Sequence, residues 1–213
     1  MAVLMKICGV STPSALEAAM TAQADYVGLV FFPPSPRNVS TADAAQLAAM
    51  SNGSIRRVGL FVDAADDLIT DGVNAARLDV IQLHGDETPD RVAQIKHRFG
   101  LPVWKAIPVA TAEDVNGAGS YEEIADMLLF DAKTPKGARL PGGMGLKFNW
   151  SLLSAWKGRP GWGLAGGLDA DNVAEAITIA GPALVDTSSG VETSPGQKDP
   201  NLIATFCNAA RNA

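Results

Sequence analysis

The chain has 213 residues, enough for one domain with a sizeable core, and 47% of them are apolar, as in soluble globular proteins. A net charge of −6 argues against a nucleic-acid partner, and no apolar run approaches the ~20 residues that span a bilayer. The start, Met1 to Lys6, lacks the charged head and long apolar centre of a signal peptide, so a cytoplasmic location is expected, where Cys8 and Cys207 would stay reduced.

Strands and helices alternate along the chain. Val3–Ile7 reads as the first strand, and Thr12-Pro13 opens a helix with a cap followed by proline at the first helical position. Tyr26–Phe31 is the second strand, and Ser40 to Asp43 resembles a capping box before an Ala-rich helix to about Met50. Val58–Val62, Val80–Leu83 and Val103–Ile107 follow as strands, with helices over Asp66–Ala76 and Pro89–Phe99. Ala110–Ile124 is interrupted by Asn116-Gly117 and Gly119-Ser120, which predicts two short helical pieces. Met127–Phe130 is the sixth strand. The Gly/Pro-rich stretch Ala132–Lys147 is long enough to be a lid or binding loop, and a short helix begins near Asn149. Trp162–Leu164 and Leu184–Asp186 are the last strands, with a helix over Asp171–Ala180 between them. Asp199-Pro200 caps the final helix.

Eight strands, each followed by a helix or part of one, imply a parallel sheet closed into a (βα)₈ TIM barrel, one domain over residues 1–213. An open doubly wound sheet is the competitor, but no G-x-G-x-x-G follows the first strand.

Catalytic groups of such a barrel sit at the C-terminal ends of its strands. Those ends carry Lys6-Ile7-Cys8-Gly9, Arg37 behind three prolines, Gln82-Leu83-His84, Phe130-Asp131 and Val185-Asp186. Alternation puts Lys6 with Cys8 and Gln82 with His84 on one face, which is expected to line the mouth. After strands 7 and 8 come Gly166-Gly167 and Ser188-Ser189-Gly190, turns that expose backbone N–H groups where such barrels often hold phosphate. Each residue also has a bland reading. Cys8 could be a small buried hydrophobe, His84 or Asp131 a turn cap, Arg37 a surface ion pair, and the two turns ordinary connections. Lys6 could simply neutralise Asp131 or Asp186, and His97 reads as solvated surface. Taken alone, the residues point to a phosphate-binding barrel enzyme whose thiol and carboxyl face each other.

Six motifs sharpen this. Lys6 to Gly9, Phe31 to Val39, Val58 to Val62, Gln82 to Gly85, Leu164 to Leu168 and Asp186 to Glu192 together resemble the phosphoribosylanthranilate isomerases of tryptophan biosynthesis, in that family's order. The resemblance implies an Amadori rearrangement of N-(5-phosphoribosyl)anthranilate to 1-(2-carboxyphenylamino)-1-deoxyribulose 5-phosphate. It maps the general base to Cys8, the general acid to Asp131 and the anthranilate contact to Arg37. The phosphate falls to Gly166, Gly167, Ser188, Ser189 and Gly190, and His84 and Asp186 join the substrate contacts. The substrate's own nitrogen serves as electron sink, so neither metal nor organic cofactor is expected. Monomer and homodimer both remain open. Met144 departs from the family pattern, which has Thr or another small polar residue there. Two rivals remain. Another sugar-phosphate barrel enzyme would want metal-ligand histidines, or a catalytic lysine with glutamates at strand ends. A sensor that merely binds a phosphorylated metabolite would have no need of both Cys8 and Asp131.

Overall fold

A computed structural model describes residues 3–135, 142–156, 158 and 161–213. Eight parallel strands close into a barrel in chain order. They are β1 (Leu4–Cys8), β2 (Tyr26–Val30), β3 (Arg56–Phe61), β4 (Val80–Leu83), β5 (Val103–Val109), β6 (Met127–Ala132), β7 (Trp162–Leu164) and β8 (Leu184–Thr187). Closure comes from β1 lying beside β8, with Leu4 opposite Leu184 and Lys6 opposite Asp186. A (βα)₈ barrel is therefore the observed architecture.

Helices α1 (Pro13–Thr21), α2 (Thr41–Ser51), α3 (Asp66–Ala76), α4 (Pro89–Phe99), α5 (Ala112–Gly117), α6 (Val173–Ala180) and α7 (Pro200–Arg211) surround the barrel. Three of them start by one device, in which a side-chain oxygen caps the first turn and proline follows. Thr12 accepts from Ala15 N, Thr88 from Arg91 N, and Asp199 from Asn201 N and Leu202 N. Each such cap stabilises its helix by about 1 kcal/mol.

Alternation along the strands separates two apolar regions. Ile7, Val27, Leu83, Phe130 and Val185 face the helices. Tyr26, Val58, Val80, Trp104, Leu129 and Leu184 fill the inside, where the Tyr26 and Trp104 rings meet edge to face at 5.0 Å. Nearer the mouth, Cys8, Val30 and Leu60 form a third cluster.

Some boundaries move relative to the sequence expectations. β5 runs on to Val109 and β6 to Ala132, so Asp131 lies within a strand, opposite Pro108, rather than after it. Ala110–Ile124 holds two short pieces as expected, α5 and a 3₁₀ turn over Ala118–Tyr121. The helix expected from Asp171 starts at Val173. The Asn172 side chain instead closes a turn, accepting from Asp169 N and donating to the Gly167 carbonyl. The short helix near Asn149 is a 3₁₀ turn, Trp150–Ala155. Between β8 and α7 an antiparallel hairpin appears that the sequence did not announce, β9 (Glu192–Ser194) with β10 (Gln197–Lys198). Of the long loop expected over Ala132–Lys147, residues 136–141 lie outside the described residues. Among the described residues, no helix is long and apolar enough to cross a membrane.

Candidate active site

One pocket opens at the C-terminal ends of the strands. Cys8, Arg37, His84, Asp131, Asp186, Gly166, Gly167, Ser188 and Ser189 all line it. Lys6 and Gln82, expected on the face that lines the mouth, lie fully buried beneath it, and Gly190 is not in its lining. A Cβ there would stand 2.0 Å from the Leu168 carbonyl oxygen, so its glycine is required by tight packing behind the wall.

Cys8 ends β1 and shares its inward face with Lys6. Gly28 on the neighbouring strand makes the room, since a Cβ there would lie 2.9 Å from Cys8 Sγ and 3.2 Å from Lys6 Nζ. Burial pushes the Cys8 thiol above its ordinary value, while the positive charges of Lys6 and Lys198 pull it back. Lys6 is fully buried and donates to Asp186 Oδ2 at 2.8 Å, which decides which aspartate it neutralises. Burial works against the Lys6 ammonium, but Asp186 and Cys8 outweigh it and hold Lys6 above its ordinary value. The other oxygen, Asp186 Oδ1, is buried and has no hydrogen-bond partner among the described residues.

Asp131 stands on β6, three strands from Cys8 around the barrel. Its Oδ1 accepts from Ala132 N at 2.8 Å, and its Oδ2 lies 3.1 Å from His84 Nε2. His84 Nδ1 in turn lies 3.2 Å from the amide nitrogen of fully buried Gln82. The face shared by Gln82 and His84 thus becomes a hydrogen-bonded line ending on Asp131. With the amide donating to Nδ1, the imidazole proton sits on Nε2 and points to the carboxylate. Gly142 covers this pair. A Cβ there would come within 2.8 Å of both Asp131 Oδ2 and His84 Nε2.

Arg37 is no surface ion pair. Its backbone N–H donates to Ser35 Oγ, and its side chain crosses above Gly9, where a Cβ would meet Arg37 Cδ at 2.6 Å. Gly9 also holds φ at +77°, so it meets both demands as only glycine can. The guanidinium forms a two-pronged pair with Glu192, Nε to Oε1 and Nη2 to Oε2, each 2.8 Å. Nη2 also donates to the Gly143 carbonyl at 3.0 Å, while Nη1 has no hydrogen bond among the described residues. Glu192 Oε1 accepts from Lys198 Nζ as well, at 2.6 Å. Sequence reasoning assigned no role to Glu192 or Lys198. Glu192 stood inside a quoted motif, but Lys198 lies on a two-residue strand outside the barrel repeat, where no pattern marks it.

The turns after β7 and β8 wall the pocket together. Gly166 and Gly167 have φ of +89° and +63°, and a Cβ on Gly167 would meet Leu146 O at 2.6 Å, so this turn also supports the loop after β6. Thr187 Oγ1 donates to Leu168 O at 2.7 Å and locks the two turns to each other. Met144 is half exposed and lines the pocket, where it offers the mouth a thioether in place of a hydroxyl. Among the described residues, no three His, Cys, Asp or Glu side chains gather as a metal site.

The likeness to known proteins extends over the whole length. Residues 5–209 match the family model described as N-(5'phosphoribosyl)anthranilate (PRA) isomerase. The chain belongs to the phosphoribosylanthranilate isomerase family. It is 52% identical over 211 residues to the N-(5'-phosphoribosyl)anthranilate isomerase of Paramagnetospirillum magneticum, covering 99% of this chain and 98% of that one. The crystal structure of phosphoribosyl anthranilate isomerase from Thermotoga maritima superposes with a TM-score of 0.89 at 35% identity, over 99% of this chain and all of that one. A second structure of a phosphoribosyl anthranilate isomerase holds reduced 1-(o-carboxyphenylamino)-1-deoxyribulose 5-phosphate. It matches with a TM-score of 0.87 at 32% identity, over 99% of this chain and 100% of that one. The pocket of this family member has Arg37 and a pair of glycine- and serine-rich turns on its wall.

Proposed function

We propose that this mouth converts N-(5-phosphoribosyl)anthranilate to 1-(2-carboxyphenylamino)-1-deoxyribulose 5-phosphate, with Cys8 as general base and Asp131 as general acid. The observation that carries it is the meeting of Cys8 and Asp131, from strands that are not neighbours, in one pocket walled by the turns after β7 and β8.

The chemistry needs one proton given and another taken. Asp131 donates to the furanose ring oxygen as the C1–O bond breaks, and the bond's electron pair stays on that oxygen. The anthranilate nitrogen supplies its lone pair and becomes an iminium. That cation acidifies C2–H, which the Cys8 thiolate removes. The C–H electrons form the C1–C2 double bond and the nitrogen recovers its pair. The resulting enolamine tautomerises to the ketone, so no electron acceptor outside the substrate is required. His84 acts on Asp131 rather than on the substrate. Once Asp131 has given up its proton, His84 Nε2–H donates to the carboxylate that remains, and Gln82, donating to Nδ1, holds the imidazole in that tautomer. Ser188, Ser189, Gly166 and Gly167 receive the phosphate at backbone N–H groups. The free Nη1 of Arg37 meets the anthranilate carboxylate, and Asp186 Oδ1 accepts from a sugar hydroxyl.

Asp131→Asn keeps the shape but removes the transferable proton, and Cys8→Ser raises the base's pKa far above neutrality. Loss of a general acid or base costs about 10²–10⁴-fold in rate. Turnover is followed by the fluorescence of phosphoribosylanthranilate made in situ, and binding by titration with the reduced product analogue. Each variant should lose turnover on that scale and still bind the analogue; near-normal turnover in either would falsify the pair.

A further inference from the structure

Lys198 is a buried lysine that the proposed chemistry does not use. Its side chain is 1% exposed, and its ammonium spends every hydrogen within the protein. It donates to Ser188 O at 2.9 Å, Ser188 Oγ at 3.2 Å and Glu192 Oε1 at 2.6 Å. Ser188 belongs to one of the turns assigned to phosphate. Glu192 grips Arg37, the residue assigned to the carboxylate. One ammonium therefore touches the supports of both anionic ends of the ligand.

The charge balance is equally telling. Arg37 and Lys198 bring two positive charges against the single carboxylate of Glu192, and all three side chains are nearly inaccessible. Burial works on Lys198 more strongly than Glu192 does and holds its pKa below the ordinary value. For Glu192, burial is outweighed by the hydrogen bond from Arg37 and the charge of Lys198, so the carboxylate stays ionised below its usual range. An uncompensated buried cation is costly unless something anionic arrives. The protein as a whole is acidic, with a net charge of −6, so a doubly anionic ligand needs such a local excess. Cys8 feels the same charge, because Lys198 and Lys6 are the cations that act on it.

We propose that Lys198 is a positioning residue that sets the phosphate turn and, through Glu192, the Arg37 fork in one register. The β9–β10 hairpin is then the element that carries it into the site. This takes Ser188 and Arg37 in the roles assigned above.

The test uses Lys198→Met, Lys198→Arg and Glu192→Gln in the full chain, each checked for folding by circular dichroism. Two quantities are read: the Michaelis constant and competition by inorganic phosphate. In the parent protein, phosphate must compete; if it does not, the phosphate assignment fails by itself. Given competition in the parent, Lys198→Met should weaken it by about tenfold or more, as for loss of a charged hydrogen-bonding group. Lys198→Arg keeps the charge but replaces a compact ammonium by a planar fork, so it should restore phosphate competition only in part. Glu192→Gln should raise the Michaelis constant by about tenfold through a loosened Arg37, with phosphate competition changed much less. If phosphate competition in Lys198→Met stays within about twofold of the parent, the proposal is overturned. If Lys198→Met does not fold, Lys198→Arg and Glu192→Gln decide. Parent-like phosphate competition in the first, or a parent-like Michaelis constant in the second, overturns it equally.

Discussion

Cys8 illustrates how a residue's placement and its chemistry come from different sources. The period of two along a strand places it on the inward face with Lys6, and that much can be read from four letters. Its ionisation cannot, because the groups that act on it are Lys6, Asp186 and Lys198, drawn from β1, β8 and β10. Burial is the strongest influence and raises the thiol above its ordinary value of about 8.5–9. A raised pKa means that thiolate is still accumulating above that range. Alkylation of Cys8 in the free protein should therefore climb with pH through about 9 without a plateau, and bound product analogue should suppress it. A plateau near pH 7 would mean that the two lysines outweigh burial. Cys207 offers the contrast. It is fully buried on α7 and its thiol is pushed up to about 11, so it should stay unmodified over the same range.

At the scale of elements, the turn after β8 is shaped by its neighbour as much as by its own residues. The sequence marked Gly190 as a phosphate contact because it belongs to a turn that exposes backbone N–H groups after the last strand. In the fold it is the point where the β8 turn presses against the β7 turn, with room for no side chain between its Cα and Leu168 O. Gly190→Ala must push the two turns apart. Overpacking of this kind typically costs about 1–3 kcal/mol. In a chain of this size that lowers the melting temperature by roughly 2–4 °C per kcal/mol. If the turns jointly hold phosphate, the same change should weaken phosphate competition by about tenfold. Unchanged melting together with unchanged competition would show that the contact is slack. The β9–β10 hairpin escaped the sequence for a related reason. Its strands have three and two residues, too short for an alternating pattern to register, and it matters through Glu192 and Lys198.

Across the whole molecule, closure is the event on which the site depends. β1 and β8 come from opposite ends of the chain and are joined inside the barrel by Lys6 and Asp186. Lys6→Met removes one charge and leaves the buried Asp186 carboxylate without its cation. Breaking such a pair costs about 3–5 kcal/mol, while replacing both partners by apolar residues can be nearly neutral. Urea unfolding should show the full loss for Lys6→Met and a markedly smaller loss for the double variant with Asp186→Leu. A single variant within about 1 kcal/mol of the parent would remove the pair from the account of stability.

What the sequence determined by itself was local and periodic. The caps at Thr12, Ser40 and Asp199, the eight apolar strands and the inward parity of Cys8 and His84 all follow from neighbours within a few residues. The family could be recognised because its motifs sit at successive strand ends in a fixed order. The tertiary structure alone decided the partnerships. Lys6 had two candidate carboxylates and took Asp186, His84 lines the pocket and also lies against Asp131, and Arg37 is gripped by a glutamate 155 residues away. Such pairings depend on which strands meet when the barrel closes and on how far each side chain reaches through a low-dielectric interior. No spacing along the chain encodes either quantity.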